Sequence, residues 1–421
     1  MLGTTTQLRA RLAEIAPVGA GLVLLGISAY AFLGLAGHAL APREYAAVAS
    51  LYLLVAVVGP GVFVAVEQET SREISSRIAT GRPTAPVLRA ATVISAVLAV
   101  AAVALLLALS PLLVHRVFGG AWSLLVAAVV AVAGAGSVYV IRGLFSGQRR
   151  YGWYGASLAI EGLARLVPSV VLVWVGFAGT AAFGLVFALG MLVAAAATAV
   201  GVHLGAPGPR LGLRPMARGV GFLAGACTLT LLLANIAPVV LTSRLTGDPA
   251  TAASFVSLFV LARIPLFLFS PVQAFLLPAL TAAIERGAAG RVGQQIRTVL
   301  MVVAAIGSAG VVAAAIAGPW AARVFFNAPR ELPGLVAALL GLSTVLMMIA
   351  QVLQPALVAL GRHRTVMSAW ITGTVVFGAL LFTPGAPLVA TVAAQLAGPA
   401  VVIIIMARAV RVSLTAATGH P

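Results

Sequence analysis

Long apolar runs separated by short charged or Pro/Gly-rich breaks recur along the whole chain, at roughly 16-40, 45-66, 90-114, 120-141, 156-176, 180-202, 219-241, 252-276, 298-322, 334-360, 366-383 and 386-407. Most are about the 20 residues that an α-helix needs to cross a hydrocarbon core. The runs are continuous, not alternating, so they predict helices instead of barrel strands. Lipid offers no water to unsatisfied backbone groups, which makes that distinction decisive. The expected fold class is all-α: a polytopic membrane helical bundle of about 12 spans. The first run has no small-residue cleavage site and a second run follows it at once, so it reads as a span and not as a cleaved leader.

The two halves of the pattern echo one another. Arg116-Val117-Phe118 recurs as Arg323-Val324-Phe325, an offset of 207 residues, and the same offset relates Ala49-Ser50-Leu51 to Val256-Ser257-Leu258. Pro60 in the second run and Pro265 in the eighth are nearly equivalent. An offset of almost half the chain predicts two six-helix lobes, 1-207 and 208-421, related as parallel repeats about a central cavity.

Charge sets an orientation. With the N-terminus cytoplasmic, the inner segments hold 19 of the 26 basic residues, Arg142 among them, and the outer segments hold 5. That bias predicts a multi-pass protein of the cell (plasma) membrane with both termini cytoplasmic. Basic loops meeting anionic headgroups also account for the +17 net charge without invoking nucleic acid.

Composition agrees with lipid burial and excludes several chemistries. The chain of 421 residues is 62% hydrophobic and 8% charged, and its mean hydropathy is +1.12. Every basic residue is Arg, so neither a Walker phosphate loop nor a lysine Schiff base is available. Cys227 is the single cysteine, and His38, His115, His203, His363 and His420 lack metal-ligand spacing, so no metal and no cofactor is expected. No Ser/His/Asp set or paired midplane carboxylates emerge, and the longest predicted loop, 67-89, is too short for a catalytic domain. An enzyme is not expected.

Ionisable groups deep in a span are costly unless paired or facing water, which makes them pointers to function. Glu161 and Arg165 lie in the fifth run and Arg263 in the eighth. Arg165 and Arg263 sit about 13 and 17 Å from their nearer span ends at 1.5 Å per residue, close to the midplane. A guanidinium fork suits bidentate holding of phosphate or pyrophosphate, so both are candidate substrate contacts. Glu161 and Arg165 are equally an i,i+4 ion pair that neutralises two buried charges. Asn235, Thr228, Thr230, Gln273, Gln351 and Gln354 could bond sugar hydroxyls or neighbouring helices. Pro60 and Pro265 remove backbone hydrogen bonds within spans and are candidate hinges. The mixed-charge segment Glu67-Gln68-Glu69-Thr70-Ser71-Arg72-Glu73 predicts a solvated helix extension.

The stretch from Ile141-Arg142-Gly143-Leu144-Phe145-Ser146-Gly147-Gln148-Arg149-Arg150-Tyr151 into Glu161-Gly162-Leu163-Ala164-Arg165 resembles polysaccharide-repeat flippases. So do Leu40-Ala41-Pro42-Arg43-Glu44-Tyr45 and Leu360-Gly361-Arg362-His363-Arg364. Such flippases form the polysaccharide biosynthesis (Wzx-like) branch of the multidrug/oligosaccharidyl-lipid/polysaccharide exporter superfamily. The resemblance implies alternating access and export of a lipid-linked oligosaccharide on undecaprenyl pyrophosphate. Partners would then be that substrate, membrane lipids and glycosyltransferases or a polymerase of the same pathway. Two other expectations compete: an ion-coupled multidrug exporter of the same superfamily, with Glu161 as the coupling acid, and a non-transporting scaffold for cell-wall enzymes.

Overall fold

The computed structural model describes residues 2–209, 211–266, 269, 280 and 289–418. Gln273 lies outside them. The described residues form helices and connecting turns with no strand, as the continuous apolar runs require.

The long helices are α1 (Leu2–Ala39), α2 (Pro42–Ala79), α3 (Ala85–Ala108), α4 (Trp122–Gly147), α5 (Tyr151–Trp174), α6 (Thr180–Ala199), α7 (Leu213–Arg244), α8 (Pro249–Ala262), α9 (Ala289–Phe326), α10 (Gly334–Ala359), α11 (His363–Leu381) and α12 (Pro387–Thr418). A short π-helical turn, Leu113–Val117, follows α3. Among the described residues, twelve candidate membrane spans are present, one on each long helix. The fold is thus an all-α polytopic bundle.

Several helices outrun their apolar cores. α2 continues to Ala79, so the expected loop at 67-89 shrinks to the turn before α3. Its polar end is also less solvated than its charge suggests. Glu69 is 5% exposed and packs beside Gly219 of α7, while Glu67 accepts a hydrogen bond from Tyr154 of α5 at 2.7 Å. Mixed charge there answers neighbouring helices as well as water.

The chain divides into two compact units, Met1–Leu231 and Leu232–Pro421. The division falls inside α7, whereas the sequence repeat turns over at 207/208. The first half of α7 carries Gly219 and Thr228 against Glu69 and Gly61 of α2, which groups it with the first unit.

Each unit packs by the same scheme. In the first, α2 packs on α3 and α4, α4 on α3 and α6, and α5 on α6; in the second, α8 packs on α9 and α10, α10 on α9 and α12, and α11 on α12. In the second unit, Arg244, ending α7, donates to the carbonyls of Leu381, ending α11, and of Thr383 just beyond it. The two units thus share an order of helix packing.

Small residues permit the tightest crossings. A Cβ on Gly155 would lie 2.2 Å from the Pro17 carbonyl oxygen, and one on Gly143 would lie 2.7 Å from that of Glu67. Only hydrogen fits at these α1–α5 and α2–α4 contacts, as in close-packed membrane helices. α2 and α4 are largely buried, while α3 and α9 present large apolar side chains such as Val100 and Ile316 outward. Such surfaces belong in lipid.

Candidate functional site

Among the described residues, three of the four buried charges of the first unit form a triad. Glu161 sits on α5 between Arg142 of α4 and Arg165 one turn along its own helix. Arg142 Nη2 donates to Glu161 Oε2 at 2.7 Å, and Arg165 Nη2 lies 2.6 Å from Oε1. The latter is an ion contact without hydrogen-bond alignment. All three residues are buried.

Each guanidinium has further support. Arg142 Nε donates to Ser157 Oγ at 3.0 Å and its Nη2 to the Ser157 carbonyl at 3.2 Å, while its Cζ lies 5.6 Å from the Tyr139 ring centroid. Arg165 Nε donates to the Phe187 carbonyl at 3.3 Å, and its Cζ lies 4.6 Å from the Phe187 ring centroid. Gly190 makes the room: a Cβ there would lie 2.7 Å from Arg165 Cγ. Phe187 in turn packs against Phe32 and Tyr52, fixing the ring under the cation. Cation–π contact and hydrogen bonding add to ion pairing as ways a membrane interior can hold a guanidinium.

The i,i+4 pair that the spacing implies is therefore present, with a second arginine that the spacing does not reveal. Arg142 is not an inner-loop residue, as the charge tally takes it to be. α4 runs on through Arg142-Gly143 to Gly147, and the polar string that looks like a loop is the last turn of a buried helix. The turn itself follows, with Arg149 at φ 58°. Arg150 then donates to the Gly201 carbonyl and contacts His203 Nδ1 at 2.8 Å, tying this turn to the segment after α6.

In the second unit, Arg263 caps α8 where the helix breaks ahead of Pro265. Its Nη1 donates to Thr344 Oγ1 of α10 at 3.2 Å and its Nη2 to Gln395 Oε1 of α12 at 2.8 Å, with Cζ 4.6 Å from the Phe259 ring centroid. Gln395 Nε2 passes the network on to the Leu233 carbonyl of α7 at 3.1 Å. Asn235 is half-buried two residues further along α7. Gln395 is absent from the sequence-derived candidates, although a lone amide in an apolar run is itself a signal.

Two other polar candidates bond within the protein. Gln354 Oε1 accepts the Trp370 indole N–H at 2.8 Å, and Thr230 bonds back to the Ala226 carbonyl. Pro60 lies inside α2, which continues through it, while Pro265 follows the end of α8. Among the described residues, no group of three His, Cys, Asp or Glu side chains could hold a metal ion.

No family model matches this chain. An uncharacterized protein of Mycobacterium tuberculosis is 29% identical over 403 residues, covering 92% of this chain and 89% of that protein. An uncharacterized protein of Mycobacterium bovis is 28% identical over 404 residues, covering 92% and 90%. Among solved structures, the inward-facing conformation of a multidrug resistance MATE family transporter of the MOP superfamily superposes with a TM-score of 0.74 at 15% identity, covering 94% of this chain and 95% of the other. A variant of a Vibrio cholerae MATE transporter gives 0.67 at 14% identity, covering 99% and 98%. Over nearly its whole length, then, this chain has the fold of MATE family transporters.

Proposed function

We propose that this chain is a membrane exporter of amphipathic small molecules, working by alternating access and driven by an ion gradient. The observation that carries this reading is the similarity of fold to MATE transporters over 94% of the chain. The chain has no lysine and hence no Walker loop of its own, which is consistent with an ion gradient as the energy source. Glu161 is a poor coupling acid, because both its oxygens face guanidiniums and protonation would break an ion pair. Glu67 suits the task better: its Oε1 accepts from the neutral Tyr154 hydroxyl, and the side chain is half-buried. Expression in a host stripped of its own exporters tests this. The intact protein is expected to raise drug tolerance and to drive dye efflux from energised vesicles, and Glu67→Gln to abolish both. Unchanged tolerance and efflux would sink the reading.

One observation favours a second cargo. The buried charges named in the two networks are three arginines against one glutamate, Glu161, which suits an anionic headgroup over a cation. Export of an oligosaccharide on undecaprenyl pyrophosphate fits that charge. Mass spectrometry of lipid-linked sugars in cells with and without the protein distinguishes the two. Accumulation of one lipid-linked repeat, relieved only by the intact protein, would support the second reading and remove the first.

A further inference from the structure

One face of α12 and the start of α11 enclose a groove with a distinct chemistry. Ile405, Arg408, Ala409, Val412 and Ser413 follow one another at helical spacing along a single stripe of α12, and Arg362, the N-cap of α11, closes the other side. The cavity is about 340 Å³ in volume. Two guanidiniums lie at its rim, both exposed. Ser413 Oγ is shielded from solvent and has no hydrogen-bond partner. The rest of the lining is aliphatic, and it is continuous with the outward-facing Ile404 and Val412 of the same helix.

From this we infer that the groove binds an acidic phospholipid, with its phosphate between Arg362 and Arg408 and an acyl chain along Ile405 and Val412. The charge is complementary to a phosphate monoanion or diester, which accepts from two guanidiniums at once. The position at the α11 N-terminus adds a favourable field for an anion. The unpartnered Ser413 hydroxyl supplies a further donor for a glycerol or phosphate oxygen. A free phosphate would gain from the arginines but would leave the aliphatic wall unused. The lipid uses both.

The inference is independent of the cargo that the protein moves, and its test requires no transport. The full chain, purified and stripped of lipid, is titrated with phosphatidylglycerol or phosphatidylcholine and read by native mass spectrometry. Phosphatidylglycerol is expected to be retained in preference to phosphatidylcholine. Arg362→Gln together with Arg408→Gln should weaken that retention by at least about tenfold, since basic side chains at the membrane surface carry much of the attraction toward acidic lipid. Arg364→Gln with Arg411→Gln removes the same charge from the same two helices outside the groove and should change little. Ser413→Ala should give a smaller loss while keeping both charges. Equal retention of the two lipids, or an equal loss in both double variants, would overturn the inference. Competition by millimolar inorganic phosphate to the same extent as by phosphatidylglycerol would overturn it as well, reassigning the groove to a small anion.

Discussion

Arg142 on α4 and Glu161 on α5 lie 2.7 Å apart, nineteen residues distant in sequence, and both are buried in the first unit. Their contact turns an intrahelical pair into an interhelical clamp, because Arg165 holds the other carboxylate oxygen. The triad carries one net positive charge in a region where charge is expensive. Glu161 is its keystone, being the one member that touches both others.

That arrangement predicts unequal costs of substitution. Glu161→Gln leaves two buried guanidiniums facing each other across an amide and should destabilise the protein by about 3–5 kcal/mol, the range for breaking a buried pair. Arg142→Met leaves the neutral Glu161–Arg165 pair and a stem of similar shape, so it should cost less. Thermal unfolding in detergent checks the order. An Arg142 variant less stable than the Glu161 variant would contradict it.

Gly190 is predicted to be intolerant of even one methyl group. A Cβ there meets Arg165 Cγ at 2.7 Å and Nε at 2.8 Å, within a site already fixed by Phe187. Gly190→Ala must push the guanidinium off its ring, and overpacking of this kind costs about 1–3 kcal/mol. Gly310 of α9 is the control, because a methyl group there would meet no atom within 4 Å: Gly310→Ala should be neutral or stabilising. Equal melting temperatures for the two variants would refute the steric argument.

These sites differ in how far they can be read from the chain. The spans are legible because twelve long helices leave apolar stretches that nothing else explains. The Glu161–Arg165 pair is legible because its partners share one helix and hence a fixed spacing. Arg142 is hidden, since its partner lies on another helix and its neighbours Gly143, Ser146, Gly147 and Gln148 imitate a loop. Gln395 is hidden for a related reason: its bond to Arg263 spans 132 residues, and no local period reports that. The polar end of α2 looks solvated because sequence displays charge and not what packs against it.

Arg263 is predicted to matter for transport more than for stability. It joins α8, α10 and, through Gln395, α12 and α7, at the point where α8 stops. Arg263→Gln keeps a hydrogen-bonding side chain for Thr344 and Gln395 but removes the charge. Insertion and melting temperature should change little, while transport of an anionic cargo falls at least about tenfold, the equivalent of one charge-assisted bond. Retained transport would remove the charge of Arg263 from the mechanism, whichever cargo is moved.

Asp248 connects pH to the stability of the second unit. It is the N-cap of α8, accepting from the Thr251 backbone N–H at 3.1 Å and the Thr251 hydroxyl at 2.7 Å, and it pairs with Arg330 at 2.8 Å. The Thr251 hydroxyl, then the Thr251 amide and Arg330, hold its carboxyl below the ordinary aspartate value. A depressed carboxylate contributes its full stabilisation above the unfolded-state value and loses it as pH falls through the folded one. Asp248→Asn preserves the cap but not the charge, and an exposed ion pair is worth about 0–1 kcal/mol, so the expected deficit is small. It should be constant from neutral pH down to about pH 5, where unfolded aspartate begins to protonate, and should shrink below that. Melting temperatures of the two proteins measured across this range test the sign: a deficit that grew on acidification would show that the Asp248 carboxylate is not what stabilises the cap.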